Sequence, residues 1–312
     1  MHVGDVPAPE MAPDSLRIRT LATAVNRADL LQRQGLYPPP PGASDVLGLE
    51  CAGEVVEVAD GVEGWRAGDR AMALLAGGGY AEEVVVHAGS AMRIPERLGT
   101  EAAAAMPEVF LTVFLNVFQL GKLEEGGAAL IHGGGSGIGT AAIQLLKAAG
   151  ATAVVTAGSE EKCRRCRELG ADVAVNYRSG DFVAEAKGAT GGRGVDVVLD
   201  SIGAPYLEKN LAALATGGRL VLIGLMGGAR AEVNLASLLT RRLHVVGSTL
   251  RARPVEEKAA IVSGFLARFG SALERGEIAP VVDRVLSLDG AGEAHRLMKA
   301  SEHFGKIVLR VA

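Results

Sequence analysis

The sequence predicts an α/β chain in which a doubly wound parallel sheet is inserted into a β-rich domain built from both chain ends. Three observations predict it. Residues 128–248 alternate short, nearly all-apolar runs with helical stretches. Before about residue 109, valine-rich runs alternate with Gly and Asp turn signals. After about residue 250 the character is mixed again, and the chain closes on "GKIVLRV". Apolar strands interleaved with helices mark a parallel sheet covered on both faces. The expected segments are 1–108, 109–249 and 250–312.

In order along the chain, "LGLECAGEVVEVADGVEGWRAGDRAMAL" reads as short strands of an irregular barrel. "YPPPPG" from Tyr37 is a stiff loop, because proline fixes φ and has no amide proton. "AEEVVVHAGSAMRIPE" is a further strand running into a loop. "AALIH" opens the α/β segment and is followed by glycines and the helix "GTAAIQLLKAAG". Next come the strand "TAVVTAG", the helix "SEEKCRRCRELGA", the strand "DVAVNY" and the helical "GDFVAEAKGAT". "VDVVLDSIG", "YLEKNLAALAT", "GGRLVLIGLMGG" and "LHVVGS" complete a sheet of about six strands. "VEEKAAIVSGFLARFGSALERG" and "AGEAHRLMKAS" are helices of the returning segment.

Composition narrows the function classes. The net charge is −4 and no dense Lys/Arg run occurs, which disfavours nucleic acid as the main partner. No apolar run approaches the roughly 18 residues of a membrane helix, and the N-terminus lacks a signal-peptide pattern. A cytoplasmic protein is expected. Three cysteines, Cys51, Cys163 and Cys166, cannot make a disulfide framework, and "CRRC" reads as part of a charged surface helix.

The stretch "IHGGGSGIGTAAIQ" carries the chemistry. It follows a short apolar strand and opens an amphipathic helix. Amides at a helix start favour an anion, and glycine lets a pyrophosphate approach the backbone. The turn is therefore read as a nucleotide site, with Ser136, Gly137, Ile138 and Gly139 at its centre. Its spacing, G-x-x-x-G-x-G from Gly133, also occurs in short-chain dehydrogenases. Those need Tyr-x-x-x-Lys. Tyr206 is followed by Lys209, and Tyr37, Tyr80 and Tyr177 have no lysine four residues on, so that class is rejected. An NAD site places a carboxylate about 20 residues after the turn to hold the ribose hydroxyls. Here Ala157, Gly158 and Ser159 end the second strand, with Lys162 beyond them. NADPH is the expected cofactor, provided Glu160 and Glu161 face away.

The stretches "NRADLLQRQGLYPPPPGASDVLGLECAG", "RAMALLAGGGYAEEV", "PEVFLT", "GTAAIQL" and "GLMGG" carry a resemblance. With them the chain resembles, over essentially its whole length, the zinc-free quinone oxidoreductases of the medium-chain dehydrogenase/reductase superfamily. The match is closest to the tumour-suppressor-inducible branch. The resemblance implies a GroES-like β-rich catalytic domain, a Rossmann domain, NADPH and a homodimer joined through the Rossmann sheets. Family members carry a further strand and turn ahead of this Met1, so "MHVGDVPAPE" is expected to lie within the second strand of the family pattern. Zinc-dependent relatives place Cys and His where this chain has Asn26 and Leu49, and the four-cysteine lobe is absent, so no metal is expected.

The resemblance places Tyr37 on the loop that walls the active site. A phenol there can give a proton to a carbonyl oxygen, or can simply shape the pocket. Asn26 is expected to steady nicotinamide, substrate oxygen or Tyr37. Thr112 and Leu225 resemble nicotinamide contacts, and Tyr177 resembles a neighbour of the adenine or the 2′-phosphate. Leu250 and Arg251 resemble inter-domain cofactor contacts. His132 reads as a structural histidine ending a buried strand. The expected activity is NADPH-dependent reduction of quinones or similar conjugated carbonyls. Reduction of enoyl thioesters or alkenals, and NADPH binding with little catalysis, are the alternatives.

Overall fold

In the computed structural model, which describes residues 1–311, the first regular element begins at Ser15. Residues 1–12 form neither helix nor strand, contrary to the expectation that "MHVGDVPAPE" lies within one. Pro7 and Pro9 have no amide proton to give a strand ladder, and Met1, Val3 and Val6 stay exposed. In chain order come β1 (Ser15–Ala24), α1 (Arg27–Arg33), β2 (Glu50–Val58), β3 (Arg70–Leu74), β4 (Glu83–His87) and β5 (Ala91–Arg93). Next are α2 (Thr100–Ala103) and α3 (Pro107–Val113), which continues as a π-helix over Phe114–Leu120. The α/β segment holds β6 (Ala128–His132), α4 (Gly137–Ala148), β7 (Thr152–Ala157), α5 (Glu160–Leu169), β8 (Val173–Asn176) and α6 (Phe182–Gly188). It continues through β9 (Val195–Asp200), α7 (Leu207–Ala213), β10 (Leu214–Leu222), α8 (Leu235–Arg241) and β11 (His244–Gly247). The chain ends with α9 (Val255–Glu274), β12 (Val282–Ser287), α10 (Ala291–Ala300) and β13 (Lys306–Arg310).

Two compact units result. One is Met1–Leu111 with the chain from Leu250 onward; the other is Thr112–Thr249. In the first, seven strands share a sheet. One edge of β1 pairs antiparallel with β2. Its other edge pairs with β4 over Ser15–Arg19 and with β13 over Ala22–Ala24, so one long strand turns the barrel corner. Leu16, Ile18, Cys51 and Val55 are fully buried in its core. The closing strand "GKIVLRV" thus pairs with the first strand, as a domain made from both chain ends requires.

In the second unit six parallel strands run in the order β11-β10-β9-β6-β7-β8. The chain winds from β6 to β8, returns to the other side of β6 and winds on to β11. The strand order therefore reverses between β6 and β9, and ligands of open α/β sheets bind beyond the strand ends at such a point. The strands are apolar on both faces: every residue of β6 is buried. Cys163 and Cys166 lie on the buried face of α5, where desolvation pushes both thiols up, Cys166 to about 12. A helix that is charged on its outer face buries "CRRC" by its inner one. Among the described residues, no helix is long and apolar enough to cross a membrane.

Candidate active site and cofactor turn

The glycine-rich turn sits at the end of β6, at the point of strand reversal. Gly133 has φ +78°, which L side chains rarely adopt. At Gly139 a Cβ would stand 2.3 Å from the Gly133 carbonyl oxygen and 2.4 Å from the Gly134 Cα. Helix α4 can begin against the turn only because this side chain is missing. Ser136 is its N-cap: its hydroxyl donates to the Gly133 carbonyl (2.7 Å) and accepts from the Gly139 amide (3.1 Å). Gly137 and Ile138 head the helix, where main-chain N–H groups have no intrahelical acceptor. The cradle fits a pyrophosphate. It also changes the part assigned to Ser136. The one hydroxyl proton is already committed to the turn, so Ser136 shapes the turn and is not free to donate to a phosphate.

One strand over, the ends of β7 and β8 bring four expected residues together. Ser159 caps α5 by accepting the Lys162 amide at 3.2 Å. A Cβ at Gly158 would lie 2.8 Å from the Tyr177 hydroxyl, so the half-exposed tyrosine covers that glycine. The two carboxylates that threatened the NADPH reading are both engaged. Glu160 accepts from the Asn176 carboxamide at 2.9 Å, and Glu161 pairs with Arg164 at 2.6 Å. Thr112 is buried at the start of this unit, and its carbonyl accepts from Asn116. Leu225 is exposed after β10 and packs beside Gly203.

In the first unit Tyr37 is half-buried on the loop after α1, and burial is the main cause that raises its phenol pKa. Arg251, 4% exposed, clamps that loop. Its guanidinium donates to the carbonyls of Ala76 (2.6 Å) and Tyr37 (3.2 Å) and to Gln32 Oε1 (2.8 Å), and lies 5.4 Å from the Tyr37 ring centroid. Three of its five N–H donors are used within this unit, so Arg251 anchors the loop that carries Tyr37. Leu250 beside it is buried in the same unit.

Asn26 lies in a buried polar cluster. Its Nδ2 donates to Glu50 Oε1 (2.9 Å) and the Ala24 carbonyl (3.3 Å), and its Oδ1 accepts from the Lys306 ammonium (2.5 Å). Lys306 further donates to Glu50 Oε1 (2.7 Å) and the Val25 carbonyl (3.0 Å). Glu50 Oε2 accepts the Glu108 amide at 2.9 Å. Both carboxamide hydrogens and the carboxamide oxygen of Asn26 are thus engaged in this buried cluster. The pairing of Glu50 with Lys306 was not read from the sequence. The available signal was a charge within an apolar strand, in "GLECAG" and "GKIVLRV".

A second cluster was also missed. Buried Asp29 accepts from the Asn26 amide (2.7 Å) and the Tyr80 hydroxyl (3.1 Å) through Oδ2, and from the Gly48 amide (3.2 Å) through Oδ1. Tyr80 also lies 3.2 Å from His295 Nε2. Desolvation raises the Asp29 carboxyl to about 6 and lowers His295 to about 4. Among the described residues no group of three or more His, Cys, Asp or Glu side chains could hold a metal.

Comparison with known proteins agrees with this architecture. Residues 12–96 match the alcohol dehydrogenase GroES-like domain, and residues 137–264 match the zinc-binding dehydrogenase domain. The chain is 32% identical to the human synaptic vesicle membrane protein VAT-1 homolog, covering 97% of this chain and 80% of that protein. The structure of Escherichia coli quinone oxidoreductase complexed with NADPH superposes with a TM-score of 0.85 at 31% identity, over 99% of this chain and 95% of that one. A structure described as an NAD-dependent alcohol dehydrogenase does so with a TM-score of 0.86 at 35% identity, over 100% and 96%. The chain also matches, at 33% identity, a highly reducing polyketide synthase of Emericella nidulans, of whose length it spans 12%. Fold and site define a medium-chain dehydrogenase/reductase, a two-domain oxidoreductase. Within that superfamily the chain belongs to the zinc-free quinone oxidoreductase-like family.

Proposed function

We propose that the protein is an NADPH-dependent reductase of quinones or similarly conjugated carbonyls. The observation that carries the cofactor choice is the end of β7. Ser159 and Lys162 stand there with Gly158 covered by Tyr177, and the nearby carboxylates Glu160 and Glu161 are tied to Asn176 and Arg164. A 2′-phosphate placed there would face the Ser159 hydroxyl and no unpaired carboxylate, with Lys162 on the first turn of α5. The relative solved with NADPH points the same way.

The Gly133–Gly139 turn receives the pyrophosphate through main-chain N–H groups at the start of α4. NADPH, when bound, supplies the hydride, and the protein supplies orientation and electrostatics. Tyr37 holds a proton on its hydroxyl. Because burial raises its pKa, the phenol stays protonated at neutral pH and can donate to a carbonyl oxygen that gains charge. Arg251 fixes the loop from which Tyr37 acts. The domain boundaries expected from sequence, 1–108, 109–249 and 250–312, belong to the same reading, as does a homodimer joined through the Rossmann sheet. Its terminal strand β11 pairs only with β10 among the described residues. Val245 on it is 45% exposed, and Leu239 on the neighbouring α8 is 80% exposed.

A second reading is reduction of enoyl thioesters, favoured by the match to a segment of a highly reducing polyketide synthase. Steady-state NADPH oxidation with 1,4-benzoquinone and 1,2-naphthoquinone against crotonyl-thioester separates the two. Quinone turnover, lowered about a hundredfold in Tyr37→Phe if the phenol donates the proton, is expected. Fast enoyl turnover without quinone turnover would replace the first reading by the second.

A further inference from the structure

His132 ends β6 immediately before the glycine turn and is 3% exposed. Its ring is packed edge-on against Phe182 (5.0 Å between centroids) and Tyr206 (4.8 Å). Both ring nitrogens are engaged. Nε2 lies 2.7 Å from Asn210 Oδ1, and Nδ1 lies 3.0 Å from Thr156 Oγ1. The orientation of Asn210 is set independently, because its Nδ2 donates to Asp200 Oδ2 at 3.0 Å. Asn210 Oδ1 can only accept, so His132 must donate from Nε2 and accept at Nδ1 from the Thr156 hydroxyl. Burial lowers the His132 pKa, in keeping with an imidazole that carries a single proton.

Each end of this chain of bonds holds a loop. At one end, Thr156 takes the Gly134 amide on its carbonyl (2.7 Å) and the Gly133 amide on its hydroxyl (3.4 Å). At the other, Asp200 accepts the amides of Ile202 (2.6 Å) and Gly203 (3.1 Å). Gly203 bridges in turn to Gly228, beside Leu225. The bonds therefore run across the ends of β9, β6 and β7, over the point where the strand order reverses.

We propose that His132 is a positioning residue that locks the glycine turn after β6 to the Ile202–Gly203 loop after β9, so that both loops meet a dinucleotide as one rigid floor. The coupling is a property of the protein without ligand. Its consequence for the cofactor rests on the NADPH reading above.

Amide hydrogen exchange on the ligand-free protein tests the coupling. Asn210→Leu is expected to speed exchange at Gly133 and Gly134, on the far side of His132. Thr156→Val is expected to speed it at Ile202 and Gly203. If each variant changes only the amides beside it, the coupling is overturned. NADPH titration then tests the consequence. His132→Phe keeps the ring packing and loses both bonds, and is expected to raise the NADPH Kd about tenfold or more. His132→Gln, which keeps a donor toward Asn210, is expected to recover part of that loss. An unchanged Kd in a folded His132→Phe variant overturns the positioning role. Failure of the wild-type protein to bind NADPH would overturn the cofactor reading instead, and the exchange data would still decide the coupling.

Discussion

Lys306 and Glu50 are 2% and 0% exposed, and they face each other across 2.7 Å. Removing one member of a buried pair strands the other charge. Lys306→Met is expected to lower the unfolding free energy by about 3–5 kcal/mol. Adding Glu50→Gln should restore part of it, both read by urea denaturation. An undiminished stability in Lys306→Met would show that the pair does not carry this load. Asp29 has the opposite character. Its folded-state carboxyl sits at about 6 against 3.8 ordinarily, so the folded protein binds the proton more tightly than the unfolded chain. Its contribution is greatest at low pH and is lost as pH rises from about 4 through 6. Relative to Asp29→Asn, the wild type should lose about 2 kcal/mol between pH 4 and 7. A difference that does not vary with pH would contradict this. His295 works the other way, because its depressed pKa removes stability as pH falls toward 4. At this scale the sequence was least legible. Tyr37 and Ser136 were picked out by their loops, but the engagement of Asn26 by Glu50 and Lys306 depends on β1, β2 and β13 meeting, which no local spacing encodes.

The α/β elements could be read almost one for one, because strands buried on both faces write their apolar character into consecutive residues. "AALIH", "TAVVTAG" and "VDVVLD" are such strands, and Ser136, Ser159 and Asp181 each cap the following helix with a side-chain oxygen. The barrel was read only as a class. Its strands are short, curved and irregular in register; β1 shifts register twice against β2. The π-helix over Phe114–Leu120 was not expected, since its first five residues are all buried and so show no period. The proposed homodimer places its contact at β11. An exposed edge strand bearing Val245, with Leu235 and Leu239 nearby, invites pairing with another strand. Val245→Lys is expected to convert a dimer to monomer in light scattering at micromolar concentration. A wild-type protein that is already monomeric there would contradict the homodimer.

At the scale of the molecule, one unit carries the glycine turn, where we propose the dinucleotide binds, and the other carries Tyr37 on a clamped loop. The chain folds the first as a continuous insertion, 112–249, and assembles the second from both ends, which is why β13 pairs with β1. The family follows from this architecture, whereas the choice of cofactor rests on a few side chains at the end of β7. The most direct test is isothermal titration of the protein with NADPH and with NADH under the same conditions. One NADPH per chain, bound at least about tenfold more tightly than NADH, is the expected result, as a single well-placed charged contact is worth at least that factor. Equal or tighter binding of NADH, or no binding of either, would contradict the assignment.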